Sequence, residues 1–532
     1  MNAPLLTEEF HLLAAAPNGV QRLRELILSL AVRGKLVPQD ANDEPASELL
    51  KRIKAAKAKL LATGKLKQDK TFPVLQPEER PFDLPIGWEY IRLSELGEFK
   101  GGKTPSTNNE RYWHGSIPWV SPKDMKGSLI SQTEDFVTPH AIEDGLSIIP
   151  AESVLIVVRS GILRRTVPIA INAVPCTVNQ DLKALTPFLP PMARYLQVML
   201  RGFERLILTS LTKVGTTVES IKFDEFCLQP FPLPPLAEQH RIVDKVDELM
   251  ALCDHLDAQQ STQTEAHERL VATLLDTLTQ SSDAAAFAGN WACIAEHFDL
   301  LFDTQGSIDK LKQSVLHLAT RGGFVSEAER VGWQDGTLAD VVARSEAGWS
   351  PQYENRPREG AEWGVLKVSA VSWNAFDPDQ NKALPAHLRP RLEFEVRTGD
   401  FLISRANTAE LVAKSVVVNK TPSHLMLSDK TIRLHFVKGA NPRFFCFVNN
   451  APSAREYYAR IAGGTSSSMK NVSRQQILDL PTVIPPLAEQ RRIVAKVDEL
   501  MAICDTLAAR LSAVRELSSK FVAVVAETSL TQ

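Results

Sequence analysis

The sequence predicts an α+β fold that is built twice. Two mixed α/β bodies are separated by two long helices, packed as an antiparallel coiled coil, with a pseudo-two-fold internal repeat. Three observations predict it. The stretch Pro234-Pro235-Leu236-Ala237-Glu238-Gln239-His240-Arg241-Ile242-Val243 returns as Pro485-Pro486-Leu487-Ala488-Glu489-Gln490-Arg491-Arg492-Ile493-Val494, 251 positions later (485 − 234). A second segment, Leu23 to Gly34, is paralleled by Leu311 to Gly322. Between these repeats lie two blocks of short β-branched and aromatic runs, each opened by Gly-Trp, at 87–88 and 332–333. A period this long is no solenoid, whose repeats run at about 20–50 residues; it marks a duplicated half-molecule. The boundaries follow: an N-terminal helical region at 1–85, a first body at 86–233, a central region with a long coiled-coil helix at 234–330, a second body at 331–484 and a C-terminal coiled-coil helix at 485–532.

The N-terminal region starts with an amphipathic helix over 18–37, with Val20, Leu23, Leu26, Ile27 and Leu30 on one face and Arg33-Gly34 as a stop. A basic helix over 46–70 follows, carrying Lys51, Arg52, Lys54, Lys57, Lys59, Lys65, Lys67 and Lys70. Such a run commonly forms a solvated face, and it also suits phosphates or an acidic partner. The second half has no counterpart to it. The first body reads as mixed α and β with one helix from Pro191 through Leu208, and the second has a helix from Pro442 to about Ile461.

The long helices start where proline is tolerated, in a first turn whose N–H groups are unpaired anyway. In the second copy the apolar positions run Ile493, Val497, Leu500, Cys504, Leu507, Leu511, Val514 and Phe521, steps of four and three that make a heptad seam. The first copy begins alike, with Ile242, Val246, Leu249, Cys253 and Leu256. It then meets Gln260, Gln263 and His267 before Leu270 and Leu274 restore the seam. The simplest partner for each long helix is the other.

Composition sets the bounds. The 532 residues are 44% hydrophobic and 23% charged, ordinary for several globular domains. The first ten residues, MNAPLLTEEF, carry no basic-then-apolar signal, and no apolar run approaches a membrane span. Six cysteines are scattered without a Cys-x-x-Cys pair, which points to a reducing cytosol and away from structural zinc or disulfides. A net charge of −3 announces no nucleic-acid binder, so such a role needs local basic surfaces or partners.

Gly97-Glu98-Phe99-Lys100-Gly101-Gly102-Lys103-Thr104 fits the G-x-x-x-x-G-K-[ST] phosphate loop. That motif needs a buried strand before it and a helix opening at Lys-Thr. Here Leu93–Leu96 reads as a polar helical turn, and Pro105–Asn109 as loop. Asn441-Pro442-Arg443-Phe444 lacks the second proline of an adenine methyltransferase motif and reads as a helix start. No His-x-x-x-His pair and no recognisable nucleophile setting occurs, so no catalytic constellation and no metal site is expected. What remains is a set of basic, hydroxyl and aromatic loop residues suited to phosphates and base edges. In the first body these are Lys103, Thr104, Arg111, Trp113, Lys123, Arg159, Ser160 and Lys213. In the second they are Ser350, Lys367, Ser369, Arg405, Asn407, Lys430 and Lys470.

Through the repeated Pro-Pro-Leu-Ala-Glu-Gln-x-Arg-Ile-Val, the Leu-Ala-x-Arg-Gly at 30–34 and 318–322, and Gly-Gly-Lys-Thr-Pro-Ser at 101–106, the chain resembles the specificity (S) subunits of type I restriction-modification systems. The resemblance covers nearly the whole sequence. It implies that each body is a target recognition domain for one half of a bipartite asymmetric DNA site. It also implies that the helices space the two bodies and dock two methyltransferase (M) subunits. S-adenosylmethionine would then reside on the M subunits, and ATP and Mg on the restriction (R) subunits, leaving this chain without a cofactor or catalytic residues. A cytoplasmic, nucleoid-associated location goes with this. The resemblance carries over no base-contacting residues, because recognition domains vary with their targets.

Overall fold

A computed structural model describes residues 13–14, 16, 18–66, 75–215, 218–325, 330–372, 375–464 and 469–531. The chain divides into unit 1, Met1–Ser261 with Arg515–Gln532, and unit 2, Thr262–Val514.

Unit 1 opens with helix α1 (Gly19–Val32), which ends where Gly34 takes φ +68°, a left-handed conformation that costs glycine nothing. Helix α2 (Ala46–Ala62) buries Ala46, Leu49 and Ile53 and turns Lys51, Lys54 and Lys59 outward, while half-buried Lys57 lies over the Phe188 ring. It is shorter than the predicted 46–70; Lys65 follows it, and Lys67 and Lys70 lie outside the described residues.

The first body begins with β1 (Glu89–Arg92) and β2 (Gly97–Gly101), then β3 (Trp113–Val120), β4 (Leu129–Ile130), β5 (Asp135–Val137) and a short α3 (Pro139–Glu143). It continues through β6 (Val154–Val157), β7 (Arg159–Ser160), β8 (Ile169–Asn172), β9 (Thr177–Val178) and β10 (Leu182–Pro187). Helices α4 (Ala193–Gly202) and α5 (Glu204–Ser210) come next, then β11 (Thr212–Lys213), β12 (Glu219–Ile221), α6 (Phe223–Leu228) and β13 (Pro230–Leu233). A five-stranded sheet in the order β2-β10-β6-β8-β4 is its centre, with smaller sheets β5-β3-β9 and β11-β12-β7. Alternation on β6 shows how it is sandwiched: Val154 and Ile156 face the helical core, whereas Leu155 and Val157 join a second core. β1 pairs antiparallel with β13, Glu89 opposite Leu233, so the body's first and last strands lie side by side and hand the chain to a helix.

The single helix expected over 191–208 is instead two, broken at Phe203. The break follows Gly202, where a Cβ would stand 2.5 Å from Val32 Cγ1, so glycine lets α4 close on α1. The long helix α7 (Leu236–Thr279) has 44 residues, about 65 Å at 1.5 Å per residue.

Unit 2 repeats the plan with α8 (Ala284–Glu296), α9 (Phe298–Leu301) and α10 (Gln305–Arg321), the last stopped by Gly322 at φ +77°. Its body runs β14 (Gln334–Thr337), β15 (Val342–Ala347), β16 (Gly364–Leu366), β17 (Asn381–Ala383), β18 (Phe401–Ser404), β19 (Ala406–Asn407), β20 (Ser415–Val417), β21 (Leu425–Met426) and β22 (Thr431–Phe436). There follow α11 (Pro442–Asn450), α12 (Pro452–Ile461), β23 (Lys470–Asn471), α13 (Arg474–Leu478) and β24 (Pro481–Ile484). The sheets are β15-β22-β18-β20, β17-β16-β21 and β19-β23, and β14 with β24 closes the body as β1 with β13 does. The helix expected from Pro442 to about Ile461 is again two, because Pro452 withdraws an N–H and starts a new helix after Ala451. Asn441 starts α11 as an N-cap, its side chain accepting from Arg443 N at 3.0 Å. The second long helix is α14 (Leu487–Thr531), 45 residues.

The seam residues of the long helices are buried, and a short helix lies along each. In unit 1 Ile242, Val246, Leu249, Cys253 and Leu256 share one core with Leu23, Leu26, Ile27 and Leu30 of α1. Arg24 of α1 bridges Asp254 and Asp257 at 2.6 Å each. In unit 2 Ile493, Val497 and Cys504 are buried with Leu311, Val315 and Leu318 of α10; Leu500, Leu507 and Leu511 pack against the same core, and Lys312 meets Asp505 at 2.7 Å. The phase expected for the end of α7 is shifted by one residue: Val271, Leu275 and Leu278 enter the unit 2 core, whereas Leu270 is 51% exposed and Leu274 half-buried. An α-helix drifts about 20° per heptad against a 3.5-residue repeat, so a stripe cannot hold one phase over this length without supercoiling. Val514 is 59% exposed, and the side chain of Phe521 lies outside the described residues.

Candidate nucleic-acid interface

The phosphate-loop match resolves into a strand. Gly97–Gly101 is β2, an edge of the central sheet, preceded by a one-turn helix at Leu93–Glu95; Gly102 to Asn109 is loop, with no helix opening at Lys103-Thr104 to aim N–H groups at phosphates. Its glycine serves close approach instead. A Cβ on Gly102 would lie 1.7 Å from the Val178 carbonyl oxygen.

What this loop does is hold a corner at Asn179-Gln180-Asp181. The Thr104 hydroxyl donates to Gln180 Oε1, Asn179 N donates to the Val120 carbonyl at 2.9 Å, and Arg159 N donates to the Asp181 carbonyl at 3.3 Å. The Arg159 side chain returns to the same corner, its Nε 2.6 Å from Asp181 Oδ1 with half its surface exposed. Through β7, β12 and β11, Arg159 stands opposite Ser220, and Ser220 opposite exposed Lys213. Ser160 caps the turn at Gly161–Arg164, accepting from Ile162 N. Exposed Lys103 follows Gly102, and its carbonyl accepts from Trp119 Nε1 at 3.1 Å. Lys123 is exposed in the Ser121–Asp124 turn.

Arg111 and Trp113 fall in a neighbouring cluster. Trp113 packs edge-on against Trp119 with ring centroids 5.1 Å apart and donates to the Ser106 carbonyl, so its indole is engaged in packing. Arg111 contacts His140 at 3.2 Å.

Unit 2 builds the same corner from different residues. Ser350 donates to Asp429 as Thr104 does to Gln180, and Arg405 N donates to the Lys430 carbonyl at 2.9 Å as Arg159 N does to Asp181. Gly348 replaces Gly102, with a Cβ position 2.1 Å from the Leu427 carbonyl oxygen. Asn407 stands opposite Lys470 in the β19–β23 ladder, and Lys470 Nζ donates to the Gly464 carbonyl at 2.7 Å. Asn407 Nδ2 donates to Ser372 Oγ at 2.9 Å, and Ser372 ends the turn that holds half-buried Lys367 and Ser369. Ser369 Oγ donates to Gln380. A continuous set of contacts thus joins Ser350, Arg405, Asn407, Lys430 and Lys470, with Lys367 and Ser369 adjoining.

The corner residues Gln180, Asp181 and Asp429 were not among the residues picked out from the sequence. Their signal is a second repeat: Gly102-Lys103-Thr104-Pro105 recurs as Gly348-Trp349-Ser350-Pro351, 246 positions on (348 − 102). Among the described residues no group of three or more His, Cys, Asp or Glu is placed to hold a metal ion, and no helix is long and apolar enough to cross a membrane.

One charge near the unit 2 corner is strained. Half-buried Lys414, whose carbonyl accepts from Ser404 N, lies near Arg455, which spends its guanidinium on the carbonyls of Val412, Ala413 and Asn449. Burial, and then the Arg455 charge, push the Lys414 ammonium down to about 8. An unfolded lysine keeps its proton to about 10.4. Between those values the unfolded chain binds more protons, so this residue's contribution makes stability rise with pH. Lys414→Met is therefore expected to stabilise unit 2 at pH 7, by about 1 kcal/mol after allowance for solvent screening. Denaturant titrations of both proteins at pH 7 and pH 10 check this; the gap between them should close at pH 10.

The chain is similar to several known proteins. A family described as type I restriction modification DNA specificity domain matches residues 85–266. The specificity subunit of the Escherichia coli type I restriction enzyme EcoEI is 32% identical over 548 residues, covering 94% of this chain and 92% of the relative. The EcoAI specificity subunit, also from Escherichia coli, is 36% identical over 314 residues, covering 58% of this chain and 53% of the relative. Among solved structures, a chain from a study of type I restriction-modification complex assembly and conformational transition aligns with a TM-score of 0.54 at 17% identity, covering 85% of this chain and 99% of that one; this likeness concerns the fold. The chain belongs to the specificity subunits of type I restriction-modification systems, a non-catalytic family, and is a DNA sequence-specificity subunit.

Proposed function

We propose that each body is a target recognition domain, at 86–233 and 331–484, and that each reads one half of a bipartite, asymmetric DNA site. The observation that carries this is the repeated corner: Thr104 with Gln180 and Arg159 in one body, Ser350 with Asp429 and Arg405 in the other. The same backbone frame presents different side chains, which is what reading two different targets requires. Arg and Lys in these loops suit guanine edges and phosphates, and Asn407 suits adenine. Half-sites on one face of B-DNA need readers about 34–36 Å apart, and a pair of long antiparallel helices is a spacer of that order. The helical regions at 1–85, 234–330 and 485–532 also dock two adenine-methyltransferase (M) subunits in this reading. S-adenosylmethionine is bound by those subunits; restriction (R) subunits use ATP and Mg to translocate and cut, in the cytoplasm.

The test is to co-express the chain with its methyltransferase partner and map adenine methylation across the host genome by single-molecule sequencing. Two short defined blocks around a fixed unspecified gap are expected. No new methylation from an intact complex would favour a coiled-coil adaptor without DNA selectivity.

A further inference from the structure

The internal repeat lets the seam between body and long helix be compared in the two halves. Arg194 of α4 meets Asp247 of α7 at 2.6 Å, and Arg443 of α11 meets Asp498 of α14 at 2.6 Å, so each body helix lies against its long helix in the same register. Both pairs are partly exposed, which makes them weak anchors. Counting back from the two arginines, Met192 is equivalent to Asn441, and Pro190 to Gly439.

Behind these residues lies the glutamine of the repeated Pro-Pro-Leu-Ala-Glu-Gln, fully buried in both halves. Its amide nitrogen donates to the carbonyl of the motif's first proline in each, Gln239 to Pro234 at 2.9 Å and Gln490 to Pro485 at 2.8 Å. Beyond that the halves part. Gln490 Oε1 accepts from Asn441 N at 2.7 Å, and its Nε2 also donates to the Gly439 carbonyl at 3.3 Å. Gln239 Oε1 is buried with no partner among the described residues. The cause is in the sequence. Pro190-Pro191 sets a one-turn helix, Pro190–Met192, in which Met192 N donates to the Leu189 carbonyl and Ala193 N to that of Pro190. The N–H and carbonyl that Gln239 would meet are thus spent, whereas Gly439-Ala440-Asn441 leaves both for Gln490. The first body is fastened to α7 by the neighbouring residue instead: Glu238 accepts from Trp88 Nε1 at 2.9 Å.

We propose that Gln490 is a positioning residue for DNA recognition: its buried amide fixes the second body on the start of α14, and with it the place of the half-site that this body reads. An amide held through both its oxygen and its nitrogen cannot slide or turn without leaving a buried donor or acceptor unpaired. That costs more than a surface pair such as Arg443–Asp498 returns. Gln239 has no such hold on the first body. The inference rests on the recognition reading above and goes beyond it, because it assigns the gap between the two blocks to one buried side chain of the long helix.

The test uses the complex with the methyltransferase partner and the same genome-wide methylation map. Gln490→Met removes the latch from the helix side, and Asn441→Pro removes the N–H from the body side; either variant that assembles suffices. Each is expected to lower the preference for the native gap over gaps one base pair longer or shorter by at least about tenfold, with the bases of both blocks unchanged. Gln239→Met, the same change in the other half, should leave the gap as it is. A uniform fall in methylation with the gap kept would mark a merely structural residue and overturn the proposal. So would an equal broadening in Gln239→Met. A wild-type map without two blocks would sink the recognition reading and this inference with it, whereas an unchanged gap in the Gln490 and Asn441 variants sinks this inference alone.

Discussion

Arg159→Ala combined with Arg405→Ala is expected to lower affinity for the specific DNA site by roughly two to four orders of magnitude, from about 1–3 kcal/mol per lost bidentate contact. The two residues occupy equivalent places, each with its backbone N–H on a corner carbonyl, that of Asp181 after β9 and that of Lys430 after β21. The single variants discriminate more sharply than the double. Arg159→Ala should relax one block of the methylation motif and leave the other intact, and Arg405→Ala should do the reverse. Arg159 already holds Asp181 at 2.6 Å, so it must exchange that carboxylate for DNA, and its effect should fall at the lower end. Lys103, Lys123 and Lys430, exposed beside the corners, should behave differently when changed to Ala. Each should weaken binding for all sequences alike and reduce the salt slope by about one. Methylation maps of the variants, with affinities measured at two salt concentrations, decide it. Relaxation of the same block by both arginine variants would refute the assignment of one half-site to each body.

The repeats made the plan of the chain legible, because a duplicated helix start and a duplicated strand-rich block can be matched by letters alone. The heptad seam also marked its buried positions: Ile242, Val246, Ile493 and Val497 are all in cores. A seam says which stripe is buried and nothing about what buries it. The sequence reading placed the other long helix there; the core of unit 2 does bring Val271, Leu275 and Leu278 of α7 together with Ile493 and Val497 of α14, and Arg24 and Lys312 show that a short helix lies alongside each as well. The corner was harder to read. It joins Thr104 to Gln180 and Ser350 to Asp429, contacts set by tertiary folding across 76 and 79 positions. The letters at 97–104 match a phosphate loop, a reading that the polar turn before them and the loop after them already argued against; what they could not tell is that Gly102 serves a close approach to the Val178 carbonyl. Trp113 illustrates the same limit: an aromatic in a loop suits a base, until Ser106 and Trp119 are found to occupy it.

The largest stability effect is expected at Arg433 of unit 2. Its side chain is 6% exposed and lies between Glu346, at 2.7 Å, and Asp400, at 2.8 Å. It also donates to the carbonyls of Glu395 and Glu393. Arg433→Met keeps the volume but leaves two mostly buried carboxylates facing each other and two carbonyls unserved, so a loss of about 3–5 kcal/mol is expected in unit 2. Burial pushes the Glu346 carboxyl up, yet the hydrogen bonds from His435 and Arg433 outweigh it and hold it below the ordinary carboxylate range. A depressed carboxyl adds stability that is complete above its unfolded value and is lost as pH falls through its folded one. Acid should therefore destabilise the wild type through Glu346, and this loss should shrink in Arg433→Met. A triple variant, Arg433→Met with Glu346→Met and Asp400→Leu, separates the two causes. If unpaired charge is what costs the single variant its stability, removing both acids should restore most of it. If the triple variant is no more stable than the single one in urea denaturation, the network instead fixes the path of β15 against β22 and β18, and packing cannot replace it.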